Sequence, residues 1–382
     1  MKIALICTEK LPVPPIDGGA VQIYIDGILP YIREKHNVTV YCVSHRLLME
    51  EELLDGVRFI RLPATPKDVY IKNVIDRIEN NYDLVHVFNR PKWIRLLSEK
   101  LPETKLSLSL HNEMFKPKKI SAKEANECIE RVEFINTVSK FIAEGVEQLY
   151  PKAGPKLRVV YSGVDIDKYK TYWSKEGQEN RERIKKEYGL TNYKIVLFVG
   201  RINEKKGVDI LLNAMKIVMD INPKIALVVI GSKWFGENQR TEYTEKLEKI
   251  SEELRGPIVF TGFLPPDVVC EHYNIADIFV CPSQWNEPLA RVHYEAMAAG
   301  LPIITTNRGG NAEVVSGYGN GIVITNYRNP INISNNIRYL LKNPGVSKNM
   351  GMTGRRLALK KFSWNRVATE ILKGFEGVNI EK

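Results

Sequence analysis

A chain of 382 residues exceeds what one ordinary hydrophobic core organises, so two domains are the natural expectation. With 44% hydrophobic and 26% charged residues it has the balance of a soluble globular protein, not of a membrane-embedded or disordered one. The net charge of +10 admits nucleic acid, an anionic surface or anionic small molecules as partners. No long run of like charge and no nucleic-acid-binding signature is present, so nucleic acid is set aside and phosphorylated substrates are the economical choice. Cys7, Cys42, Cys128, Cys270 and Cys281 are scattered without a CxxC spacing, which fits buried thiols in a reducing, cytoplasmic setting. The opening MKIALIC is too short for a signal segment, and no stretch reaches the roughly 18 apolar residues that a membrane span needs.

In chain order, the first half offers strands at KIALIC, NVTVYCV, GVRFIRL, DLVHVF, KLSLSL, EFINTVS and LRVVYSG. Amphipathic stretches separate several of them, most clearly 21–34, 69–80 and 141–150. The second half repeats the alternation with KIVLFVG, IALVVIG, PIVFTGF, IADIFVC, LPIITT and GIVIT. Short, continuous apolar strands separated by helices imply parallel sheets covered on both faces. The fold class is therefore α/β with two doubly wound domains, 1–170 and 171–364, joined somewhere within 162–194. The tail 365–382 reads as an amphipathic helix with Trp364, Val367, Ile371, Leu372 and Phe375 near one face, and the first domain is a candidate surface for it.

Several local patterns carry chemistry. Gly18 and Gly19 follow the first strand and a Pro-rich turn and precede a helix, where the backbone can approach a phosphate or sugar closely. A plain helix-capping turn is the competing reading, and Gly309-Gly310 after LPIITT invites the same pair of readings. His111 ends the strand KLSLSL, which delivers its side chain to a sheet edge, whereas His86 has apolar neighbours and reads as buried. The run Phe115-Lys116-Pro117-Lys118-Lys119 is either solvated loop or an attractor for an anionic acceptor or membrane surface. Asp165-Ile166-Asp167 resembles a metal motif, but the companions of a Mg²⁺ site are lacking, so it reads as a turn. Arg201 and Lys206 follow the strand KIVLFVG, where they either neutralise a pyrophosphate or lie on a solvated loop.

The densest signal is NEPLARVHYEAMAAGLPIITTNRGGNAE, with Glu287 and Glu295 eight residues apart. Pro288 suits a helix start, and Leu289 to Ala299 has the composition of a short helix closed by Gly300. Its free N–H groups, around Leu289, Ala290 and Arg291, would form an anion site, with the two carboxylates roughly 12 Å apart along the helix rise. Carboxylates bind hydroxyls and repel phosphate, so the arrangement suits a nucleotide-sugar, with hydroxyls on both sides of a phosphate bridge.

These residues resemble the family 4 glycosyltransferases, retaining enzymes of GT-B architecture in which two Rossmann-like domains face a cleft. The likeness runs along essentially the whole chain, through the Glu287–Glu295 pattern, GRINEKKG, the N-terminal Gly-Gly loop, His111 and SGVDIDKY. KLPVPPIDGGAVQIY, VFNRP, HNEMF and IGSKWFG look most similar to the spore-coat-associated members of the family, which points to the cytoplasm and the spore coat. The resemblance implies that Glu295 binds the ribose hydroxyls and Glu287 the donor sugar. It implies that Arg201 and Lys206 hold the diphosphate, aided by the amides of Leu289, Ala290 and Arg291. His111 would touch the donor sugar, and Gly18 and Gly19 would close on the diphosphate or acceptor. Gly262 and Leu264 are candidates for backbone contacts to the base. The implied partners are a nucleotide-sugar donor, a UDP-sugar favoured, and a hydroxyl acceptor such as a coat or surface glycan; neither metal nor other cofactor is expected. One departure is Leu289-Ala290 where the family often has Phe-Gly. A UDP-N-acetylhexosamine 2-epimerase and a non-catalytic coat scaffold remain as alternatives.

Overall fold

The computed structural model describes residues 1–66, 68–232 and 241–378. IGSKWFG therefore lies mostly outside the described residues, as does the end of the tail. The chain forms two compact units, Met1–Gly163 with Trp364–Lys382, and Val164–Ser363. The first unit ends at Gly163 rather than at 170, because Val164 already bonds across to Phe362 O at 2.8 Å.

The first unit is an eight-stranded sheet built from β1 (Lys2–Ile6), β2 (Asn37–Val43), β3 (Glu51–Leu54), β4 (Val57–Leu62), β5 (Leu84–Phe88), β6 (Lys105–Leu110), β7 (Val132–Thr137) and β8 (Leu157–Val159). Its order is β3-β4-β2-β1-β5-β6-β7-β8. All neighbours are parallel except β3, which pairs antiparallel with β4. That hairpin is absent from the sequence reading. Asp55 and Gly56 turn it with φ of 50° and 80°, the paired positive values that an Asp-Gly hairpin turn requires. The parallel strands are apolar on both faces because helices cover both: Ile3, Ala4, Leu5 and Ile6 are all fully buried.

Two helices cover one face. Ala20–Ile32 buries Val21, Tyr24, Ile25, Ile28, Leu29 and Ile32, a stripe of helical period. Trp364–Glu376, from the far end of the chain, packs beside it through Trp364, Val367, Ala368, Ile371 and Phe375. Gly27 makes this possible, since a Cβ there would stand 2.3 Å from the Trp364 indole. Burying side chains of this size stabilises by roughly 1.5–3 kcal/mol each, which fixes the last helix to the first unit.

The second unit is a six-stranded parallel sheet of β9 (Lys194–Val199), β10 (Ile225–Ile230), β11 (Ile258–Gly262), β12 (Ile278–Cys281), β13 (Ile303–Thr306) and β14 (Gly321–Ile324), ordered β11-β10-β9-β12-β13-β14. The chain winds outward from β9 to β11, then returns to the other side of β9 as β12. The first unit reverses likewise between β1 and β5. At such a reversal the loops leave in opposite directions and open a crevice beyond the carboxyl ends of the strands, where open α/β sheets bind ligands. Among the described residues no helix is long and apolar enough to cross a membrane.

Candidate active site

At the reversal of the second sheet, the loop after β9 meets the loop after β12. The first carries Arg201 and a short turn of 3₁₀ helix, Glu204–Lys206, and is held by Ile202 N donating to Ser232 O at 2.8 Å. The second carries Ser283 and Glu287. Lys206 Nζ pairs with Glu287 Oε1, and Ser283 Oγ donates to the same oxygen at 3.0 Å. Glu287 is only 4% exposed, and these partners offset the cost of burying its carboxylate. Both address Oε1, which leaves Oε2 without a protein donor among the described residues.

The backbone of Glu287 is fixed from the next loop. Gly310 N donates to Glu287 O at 2.8 Å, and Gly309 lies so close that a Cβ would stand 2.0 Å from that oxygen. Gly309 also has φ of 61°, a conformation that side chains disfavour. Glu295 lies in the helix Val292–Ala298 and accepts from Tyr273 Oη at 2.9 Å, with Arg291 3.8 Å away. Burial, then the Glu295 carboxylate, raises the Tyr273 pKa well above its usual value, so the phenol remains a donor. Gly262 ends β11, with its carbonyl accepting from Gly231 N at 2.9 Å, and Leu264 follows on the next loop.

The helix begins later than expected. It starts at Val292, not Leu289, and residues 288–291 form a loop. One distant and one local side chain hold that loop open. Ala290 N donates to the buried Asn311 Oδ1 at 2.9 Å, and Ala290 O accepts from His293 Nδ1 at 2.9 Å. The Ala290 amide is thus already engaged, which corrects the expectation of a free anion-binding helix start there. Because Nδ1 donates, Nε2 of His293 accepts from Thr305 Oγ1 at 2.9 Å. Burial holds the His293 pKa down to about 4, so the ring is neutral and this polarity is fixed.

In the first unit, Gly18 and Gly19 precede the helix Ala20–Ile32 with φ of 81° and 97°. Gln22 pins the preceding loop through Thr8 Oγ1 at 3.1 Å and Leu11 O at 3.2 Å. His111 directly follows β6 and is buried against Tyr24, ring centroids 4.8 Å apart, with its backbone N–H donating to Asn89 Oδ1 at 3.1 Å. His86 is fully buried and bonded on both ring nitrogens to Ser107 and Ser109, each at 2.7 Å. Burial, then His111, takes its pKa down to about 3, so it is a neutral piece of the core. In the basic run, Phe115 is buried against Tyr150 rather than solvated, and Lys116 pairs with Glu113 at 2.6 Å. Asp165 Oδ1 accepts from Asp167 N at 3.0 Å and Lys168 N at 3.3 Å, a closed turn.

Comparison with known proteins gives this geometry its context. Residues 18–168 match the model described as Glycosyltransferase Family 4, and residues 180–357 the one described as Glycosyl transferases group 1. The chain is 44% identical to spore coat protein SA of Bacillus subtilis, over 98% of this chain and 99% of that protein. The chain belongs to glycosyltransferase family 4. A more distant relative, the lipopolysaccharide 1,2-N-acetylglucosaminetransferase of Salmonella typhimurium, is 28% identical over 96% of each chain. The fold matches HepE of Anabaena, solved in complex with UDP-glucose, at a TM-score of 0.77 and 19% identity, over 99% of this chain and 100% of that one. Both units are accordingly of GT-B type, and the protein is an enzyme.

As a glycosyltransferase, the chain gathers Lys206, Glu287, Glu295 and Arg291 in its second unit and keeps His111, Gly18 and Gly19 in its first. Four residues escaped the sequence reading: Ser283, Asn311, His293 and Tyr273. Ser283 sits four residues before Glu287, a spacing open to notice. Asn311 and Tyr273 act across tertiary contacts that no local pattern records, and His293 joins a local bond to Ala290 with a distant one to Thr305.

Proposed function

We propose that the protein transfers a sugar from a UDP-sugar to a hydroxyl acceptor on a coat or surface glycan, with retention of anomeric configuration and without a metal. The observation that carries this reading is the open Oε2 of Glu287 beside Lys206 at the reversal of the second sheet. On donor binding, Lys206 exchanges Glu287 for the diphosphate, joined by Arg201, and so stabilises the charge that develops as the sugar leaves. Glu287 then accepts hydroxyls of the donor sugar, and Glu295, held by Tyr273, accepts the ribose hydroxyls. His111, Gly18 and Gly19 are assigned to the donor sugar and diphosphate by family resemblance, and Gly262 and Leu264 to the base. Front-face attack, with the leaving phosphate taking the acceptor's proton, accounts for retention without an enzymic nucleophile. Support for the uridine nucleotide is the HepE complex, and support for a coat acceptor is the name of the Bacillus relative.

A thermal-shift panel of UDP-, GDP- and ADP-sugars tests the donor, with the UDP compounds expected to stabilise most. The anomeric coupling of the product, read by NMR, tests retention, and unchanged turnover in EDTA tests metal independence. No stabilisation by any nucleotide-sugar would defeat the proposal. Turnover of UDP-N-acetylhexosamine without an acceptor would replace it with epimerase chemistry.

A further inference from the structure

Beside Glu287, two loops run together: residues 282–287 after β12 and 307–310 after β13. They are tied at both ends, by Thr306 Oγ1 donating to Ser283 O at 2.6 Å and Gly310 N to Glu287 O at 2.8 Å. Trp285 lies midway along one and Arg308 midway along the other. Each holds a covered donor with no acceptor among the described residues, the indole Nε1 and the guanidinium Nε. Buried donors are nearly always satisfied, so two orphans on adjoining loops call for an acceptor from outside the protein.

Cations cluster around these donors. Arg308 lies 4.5 Å from the Tyr327 ring centroid, Arg328 5.7 Å from the same ring, and Lys205 Nζ 5.1 Å from the Trp285 ring. Gln284 knits the cluster, its N–H donating to Lys205 O at 2.8 Å and its Nε2 to Tyr327 O at 3.1 Å. Among the described residues none of these three cations has a carboxylate partner. Lys206, one residue from Lys205, is paired with Glu287 and is assigned above to the diphosphate. A neutral sugar needs hydroxyl acceptors and no cations, whereas an anionic group satisfies both the charge and the orphaned donors. The partly buried indole suits the apolar face of a sugar ring.

We propose that Trp285, Arg308, Arg328 and Lys205 form a subsite for an acidic sugar, a pyranose bearing a carboxylate or phosphate. The ring lies on the indole and the anion meets the guanidinium groups. This inference rests on the transferase reading, since it supplies one of the two sugars in that reaction.

Titration calorimetry tests it with glucuronate, glucose 6-phosphate and glucose, each added to the protein saturated with UDP. A parallel arm competes UDP-glucuronate against UDP-glucose. Binding at least about tenfold tighter for the acidic member is expected in one arm, and the arm identifies the acceptor or the donor as its carrier. Arg308→Gln should abolish the preference, Arg308→Lys should retain part of it, and Trp285→Ala should weaken acidic and neutral sugars alike. Equal affinities in both arms, or a preference that survives Arg308→Gln combined with Arg328→Gln, overturns the subsite. UDP binding separates the two levels: UDP bound without acidic preference sinks only the subsite, whereas no UDP binding sinks the donor reading and the subsite with it.

Discussion

Each sheet places a glutamate and a cation at its own point of reversal, and the two pairs are built differently. In the first unit Glu9 and Arg90 form a bidentate pair, with Nε and Nη2 each 2.7 Å from a separate oxygen, and Arg90 also donates to Asn89 O at 2.8 Å. Although burial opposes charge on Glu9, the guanidinium holds its pKa below the usual carboxylate range. Both oxygens are occupied, so the pair is closed and serves the fold. In the second unit Lys206 and Ser283 converge on one oxygen of Glu287 and leave the other open. A lysine is also a single mobile point charge, which exchanges partners more readily than a guanidinium fork. The closed pair is architecture, and the open one is available for chemistry.

The strongest challenge to that contrast is to neutralise each glutamate. Glu287→Gln should lower kcat/KM for transfer by roughly 10²–10³-fold while the fold persists, the scale seen when a group addressing the reacting centre is removed. Glu9→Gln should instead lower Tm by several degrees and change kcat/KM less than tenfold, because it strands a half-buried guanidinium. Equal kinetic losses from the two substitutions would erase the distinction. Next in size is Gly309→Ala. The added Cβ collides with Glu287 O and the backbone conformation disfavours any side chain, so a cost of about 3 kcal/mol in stability is expected. Activity should fall at least about tenfold as Glu287 shifts, measured beside the denaturation midpoint.

The architecture was legible because the strands of both sheets, β3 apart, are parallel and covered on both faces, which writes them as continuous apolar runs. Glu287 and Glu295 were legible as candidates because they lie eight residues apart after a strand, and Lys206 because it follows another strand end on a short loop. The rest depends on distant partners. Nothing near Leu289 announces that Asn311 will take the Ala290 amide and help hold residues 288–291 out of the helix. Phe115 is buried although its four following neighbours include three lysines, because Tyr150 supplies its contact. The Asp55-Gly56 turn did carry a hairpin signal, masked by the charged run of Glu50, Glu51 and Glu52 before it.

A smaller effect separates binding from chemistry within the second unit. Tyr273→Phe removes the hydroxyl that donates to Glu295 Oε2 and leaves the ring in place. A hydrogen bond to a charged group contributes roughly 1.5 kcal/mol, so KM for the UDP-sugar should rise about tenfold with kcat nearly unchanged. A fall in kcat at constant KM would move Glu295 from nucleotide anchor to the reacting centre.

The histidines extend the comparison to pH, with the smallest expected signal. His86 in the first unit and His293 in the second are both neutral, and burial lowers both from 6.5, to about 3 and about 4. Below pH 6.5 the unfolded chain takes up protons that the native sites refuse, so stability rises with pH in this window and is lost as pH falls. The loss attached to His293 is complete near pH 4, and that attached to His86 continues to about pH 3. Melting curves from pH 7 to pH 4 should therefore show a declining Tm, and His293→Asn should flatten the decline. The two sites differ in what protonation disturbs. His86 bonds only to serines of its own sheet, whereas His293 holds the Ala290 carbonyl three residues from Glu287. Acid should therefore weaken donor binding at pH values where the protein is still folded, and His86→Asn should leave that early loss unchanged. Identical pH profiles for binding and for unfolding would show that His293 serves the fold alone.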